Sequence, residues 1–115
     1  MVSLLVLYVV SGILLILLAI PLIRKKIKPN GLYGFRVKQT MSDPELWYAV
    51  NCYSGKWLLF CGVVIVFSSI FFYLIPGISV DAYALICLAV FILVFAISLG
   101  KSWQFMKKES AQKSI

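Results

Sequence analysis

Three long apolar runs, separated by polar stretches, set the plan of this chain. Residues 1–23 carry no charged side chain, and a helix of that length reaches roughly 35 Å, enough to cross a hydrocarbon core of about 30 Å. The runs 57–75 and 82–100 each supply 19 uncharged positions, so each crosses with little tilt. The pattern predicts an all-α integral membrane protein, a single domain over 1–115, with transmembrane helices at about 2–23, 57–75 and 82–100. Between the last two runs, Pro76-Gly77-Ile78-Ser79-Val80-Asp81 carries turn-forming Pro and Gly and a single charge, and reads as a tight outer hairpin at 76–81.

The polar segment 24–56 has its own pattern. Pro29 is expected to stop the first helix from continuing, and Gly31 and Gly34 favour an ordered turn at the membrane surface. In Thr40-Met41-Ser42-Asp43-Pro44-Glu45, Ser42 and Glu45 match a capping box and Pro44 suits a first helical turn. A helix is therefore expected from near Asp43. Along it Leu46, Val50, Tyr53 and Trp57 recur every three or four residues, a stripe that suits a short cytoplasmic interfacial helix leading into the second span.

Composition agrees with the bilayer reading: 63% of residues are hydrophobic and 13% charged. Charge then adds an orientation. Of eleven Lys and Arg, seven fall in 24–56 and four in the tail 101–115. With three spans these segments share a side, and the tendency of Lys and Arg to remain cytoplasmic predicts the N-terminus outside and the C-terminus inside the cell membrane. Trp57 and Trp103 at the inner ends, and Tyr73 and Tyr83 at the outer hairpin, read as interfacial belts. The first span is expected to be retained rather than cleaved, because it lacks a basic n-region and its basic cluster follows the apolar run. The net charge of +7 thus reports orientation and affinity for anionic headgroups rather than direct nucleic-acid binding.

The spans contain no ionisable group of the kind that marks a proton relay or ion path, which argues against a proton-coupled transporter. The chain has no His, and Cys52, Cys61 and Cys87 lack CxxC spacing. No metal site, no cofactor and no catalytic residue is expected; the cysteines read as reduced packing residues. Ala96 and Gly100, four apart, offer a weak signal for close helix contact.

The cytoplasmic segment holds the remaining information. Its series Pro29-Asn30, Tyr33-Gly34-Phe35-Arg36, Thr40, Trp47, Asn51 and Gly55 resembles the signature of the SdpI family of small bacterial membrane proteins. That resemblance implies immunity against, or signalling of, a secreted antimicrobial peptide toxin, and a protein that acts without catalysis. The residues it singles out for ligand or partner binding are Asn30, Tyr33, Gly34, Arg36, Thr40, Trp47 and Asn51. Chemically, Asn30 and Asn51 offer paired donors and acceptors, Arg36 a rigid donor fork and Thr40 a hydroxyl. They suit a polar clasp locking the loop against the second span, or a grip on a phosphate headgroup, a toxin terminus or a cytoplasmic regulator, with Arg36 as the anion contact. Trp47 reads first as an interfacial anchor. Two alternatives stand beside the immunity reading. One is an anionic-lipid-binding protein or membrane enzyme using the same Asn, Arg and Thr groups. The other is an accessory subunit or homo-oligomer, since three spans with little polar interior hardly enclose a path alone.

Overall fold

The computed structural model describes residues 2–29 and 38–113. They form helices α1 (Val2–Ile23), α2 (Lys38–Met41), α3 (Pro44–Tyr73) and α4 (Val80–Lys113), with no strand among the described residues. Three of these are long and apolar enough to cross a membrane. They lie side by side in a rod with extents of 57 × 22 × 18 Å, and α3 is the central helix, with α1 packed along one side and α4 along the other.

The helix ends show why the elements stop where they do. α1 ends at Ile23, before Pro29 can act. Lys26 N–H donates to the Pro21 carbonyl at 3.0 Å and Lys25 N–H to the Leu22 carbonyl at 3.2 Å, the crossed pair of bonds of a Schellman C-terminus. Lys25 sits there at φ 59°, a left-handed position normally given to glycine.

The N-cap of α3 is Asp43 rather than Ser42. A proline forces its predecessor into extended backbone, which is the N-cap conformation; Asp43 accordingly takes φ −138°, ψ 104° and Pro44 opens the helix. Asp43 Oδ1 accepts from Glu45 N–H at 3.1 Å and Leu46 N–H at 3.3 Å. From there α3 continues for 30 residues. The stretch expected to lead into the second span is thus the opening part of α3, with no break between them. Its stripe does not face outward: Leu46 and Val50 are buried against Met106 of α4, and Tyr53 stacks on Phe105 with ring centres 4.2 Å apart and planes within 3°.

At the other end, α3 is capped at Leu74 and α4 starts at Val80. Gly77 makes the turn at φ 81°. Ser79 Oγ accepts from Ala82 N–H at 3.1 Å, and Asp81 in the first turn suits the positive end of the helix dipole. α4 does not stop at Gly100; it runs on to Lys113, because the tail is rich in Lys, Gln, Glu, Ala and Met and holds neither Pro nor Gly after Gly100. Beyond the apolar runs, α3 and α4 therefore pair as a two-helix extension with its own small core.

The seam between α1 and α3 is built on small residues. A Cβ on Gly62 would fall 2.6 Å from the Gly12 carbonyl oxygen, and one on Gly12 would fall 2.8 Å from the Gly62 oxygen. Seven residues away on each helix, a Cβ on Gly55 would meet the Ala19 oxygen at 3.2 Å. Absent side chains let the backbones approach closely, which is how helices gain packing energy in lipid. Ala96 and Gly100 play no such part; both are exposed, and nothing lies within 4 Å of a Cβ built on Gly100.

The hairpin end is held by tyrosines. Tyr83 is fully buried rather than facing a bilayer interface. Its hydroxyl donates to the Ser69 carbonyl at 2.9 Å, its ring meets Tyr8 and Tyr73 edge to face at 6.2 and 6.3 Å, and Tyr8 donates to the Ala84 carbonyl at 3.0 Å. A phenol that is buried needs a partner for its hydroxyl, and these two bonds tie all three spans together. Ser11, Ser68 and Ser69 meet the same requirement within their own helices, donating to Leu7, Ile65 and Val66 carbonyls.

Candidate functional site at the basic end

The exit of α1, the short α2, the first turns of α3 and the last turns of α4 converge at the basic end. Of the motif residues, Asn30, Tyr33, Gly34 and Arg36 lie outside the described residues, as does the turn expected around Gly31. Thr40, Trp47 and Asn51 are described, and all three are closed to solvent, with exposures of 0%, 0% and 2%.

The bonds of Trp47 and Asn51 run inward. Trp47 Nε1–H donates to the Ile27 carbonyl at 2.8 Å, so this indole ties the chain leaving α1 to α3 instead of anchoring at a water interface. One turn on, Asn51 Nδ2 donates to the Trp47 carbonyl at 2.9 Å, and Ser54 Oγ donates to the Asn51 carbonyl at 3.3 Å. Cys52 Sγ donates to the Ile23 carbonyl at 3.3 Å, taking up one of the carbonyls that a helix end leaves without an intrahelical partner. Thr40 is buried on α2, which packs on α3. The series of side chains from Trp47 to Gly55 thus grips α1 through its backbone: two donors reach carbonyls, and Gly55 removes the bulk that would hold the helices apart.

Beside this grip an open cavity of about 540 Å³ is lined by Lys25, Glu45, Tyr48, Ala49 and Glu109. It draws on α3, α4 and the residue that terminates α1. In the sequence Lys25 belongs to the basic cluster after the first span, Tyr48 lies off the apolar stripe of Leu46, Val50, Tyr53 and Trp57, and nothing connects Glu109 to either. Glu109 reaches this place through the continuation of α4 past Gly100; the tail's composition favours that helix, but no local pattern says which element it packs against. The opposed charges and the phenol could receive a polar group of mixed charge, such as the end of a peptide. Among the described residues, no cluster of three or more His, Cys, Asp or Glu could hold a metal ion, and all three cysteines are free thiols.

A bundle of three apolar helices, with polar connections and basic residues gathered at one end, defines a multi-pass helical membrane protein. The chain belongs to the SdpI/YfhL protein family, whose model matches residues 26–102, a range that takes in the α3 side of the grip, all of α2 and α3, the hairpin, and α4 as far as Ser102. It is similar to the uncharacterized protein YfhL of Bacillus subtilis (strain 168), with 42% identity over 36 residues, covering 31% of this chain and 33% of that one. The chain's match therefore spans about a third of the length of that relative. No solved structure matches it.

Proposed function

We propose that this protein is a non-catalytic, SdpI-like membrane protein that protects a bacterium from a secreted antimicrobial peptide, or relays the presence of that peptide. The observation that carries the reading is family membership over residues 26–102. It sits in the cytoplasmic membrane with its N-terminus outside and the basic end in the cytoplasm, as the one-sided distribution of Lys and Arg favours. The grip centred on Trp47 and Asn51 serves as a scaffold, since its side chains are buried and bonded to backbone. The motif residues Asn30, Tyr33, Gly34 and Arg36, between α1 and α2 in the sequence, are the groups that meet a peptide toxin or a cytoplasmic regulator.

The test is expression in a strain sensitive to membrane-active peptides. Survival should rise for at least one peptide of a panel, and Arg36→Ala should remove the protection while the protein still accumulates in the membrane. Unchanged killing across the panel, with the protein present at normal level, would remove immunity.

A further inference from the structure

On the bilayer-facing side of α3, at the boundary where its polar and apolar stretches meet, Lys56, Trp57 and Phe60 line an open slot of about 250 Å³. We infer that this slot is a binding site for an anionic phospholipid of the leaflet at the basic end, with Lys56 on the phosphate and one acyl chain laid along Trp57 and Phe60.

The depth of Lys56 follows from its neighbours. Cys52 is level with the end of α1 through its bond to Ile23, so Lys56 lies one helical turn, roughly 6 Å, further into the bundle. Tyr53 is level with Phe105 through their stacked rings, so on the antiparallel α4 the level of Lys56 is that of Ser102, one residue from Lys101. The two lysines are the deepest charges of the basic end, and beyond each of them the helix is uncharged as far as the hairpin. A lysine at this depth lays its alkyl stem along apolar surface and holds its ammonium at headgroup level.

Lys56 is exposed and forms no ion pair with a described residue, which leaves the ammonium available to a phosphate. Immediately below it the Trp57 and Phe60 rings stand perpendicular, 85° apart with centres at 5.7 Å, and Phe60 is 52% exposed. A rigid aromatic corner under a free cation matches the two ends of a phospholipid: charge above, hydrocarbon below. Size agrees, because the slot falls below the roughly 300–1,000 Å³ of pockets that enclose whole small molecules. It suits a stretch of one chain whose remainder stays in the bilayer. Lys101 supplies the comparison, since it has the same charge within one residue of the same level but borders the open face at Gly100 and is not among the residues that line this slot.

The experiment is native mass spectrometry of the full chain, released from membranes carrying phosphatidylglycerol and phosphatidylcholine with matched chains. The wild type should retain phosphatidylglycerol preferentially. Lys56→Gln should lower that preference about fivefold, the worth of one basic side chain at an anionic surface, while Lys101→Gln should leave it in place. Both lysines are exposed, so neither change threatens the fold. Equal retention of the two lipids by the wild type, or an unaltered preference in Lys56→Gln, would overturn the site. An equal loss in both variants would assign the preference to the overall charge of the basic end and would overturn it as well.

Discussion

Lys25 carries an unusual load for a single residue: it ends α1, lines the cavity at the basic end, and holds a left-handed backbone conformation at φ 59°. That conformation costs an L-residue roughly 1–2 kcal/mol, which glycine avoids, though glycine also loses more entropy on folding. Lys25→Gly should therefore stabilise the protein by up to about 1 kcal/mol, read as a rise in the melting temperature of the detergent-solubilised chain. A fall would mean that the Lys25 side chain contributes more than its backbone costs. Ser102 is a second strained account. Its hydroxyl is 1% exposed and has no hydrogen-bond partner, a state that costs about 1–3 kcal/mol. Ser102→Ala should hold or raise stability by about 1 kcal/mol; a clear loss in the same melting experiment would show that the hydroxyl has a partner in the membrane. Neither feature is visible in the sequence, since a lysine after a helix and a serine within one are both ordinary.

Among the elements, the contrast between two glycines isolates what holds α1 to α3. Gly62 meets the Gly12 backbone, whereas Gly100 meets open space. Gly62→Ala should force the two helices apart or shift them, at about 1–3 kcal/mol. Gly100→Ala should be neutral or stabilising by up to about 1 kcal/mol, the helix propensity that glycine lacks. Thermal unfolding of both variants in the same detergent decides this, and an equal response would refute the close seam. Local spacing pointed to Ala96 and Gly100, while the contact falls on glycines from two distant helices. A pair of small residues four apart describes one helix face; which face meets a neighbour depends on the partner's register, and that is not local information. Helix starts were more legible, because Pro44 dictates its own position and that of its predecessor. Even so, it moved the cap from Ser42 to Asp43.

For the whole molecule, the three spans are joined at both ends by different means. At the hairpin end Tyr8, Tyr73 and Tyr83 knit all three together, and at the basic end α3 grips α1 through Trp47 and Cys52 while stacking on α4 through Tyr53. The proposed orientation is open to a direct check. Gly77 lies at the tip of the hairpin with nothing within 4 Å of an added Cβ, so a side chain there meets only the strain of its φ of 81°, and the three native thiols are buried or half-buried. A membrane-impermeant maleimide should label Gly77→Cys in intact cells and leave the wild type largely unlabelled. Labelling that requires permeabilised cells would reverse the topology. The candidate site divides along the same line: buried Thr40, Trp47 and Asn51 were legible as a group in the motif, but their inward bonding was not. The residue types favoured a clasp over an exposed contact, but the same types at the same spacing serve either, and spacing does not name the carbonyls that accept.

By itself, the sequence determined how many helices are long and apolar enough to cross a bilayer, that the basic residues collect at one end, and the family to which the chain belongs. These depend on the length and composition of runs and on the order of motif residues, all of which survive without a third dimension. Tertiary structure alone decided that α3 is central, that Gly12 and Gly62 meet, that Tyr83 is a tie between helices rather than a belt residue, and that α4 continues far enough to bring Phe105, Met106 and Glu109 against the start of α3. In lipid the apolar surface of a helix is satisfied by acyl chains on every side. Hydrophobic pattern therefore cannot choose the packed face, and the choice passes to close backbone approach and to the few polar groups that must find partners.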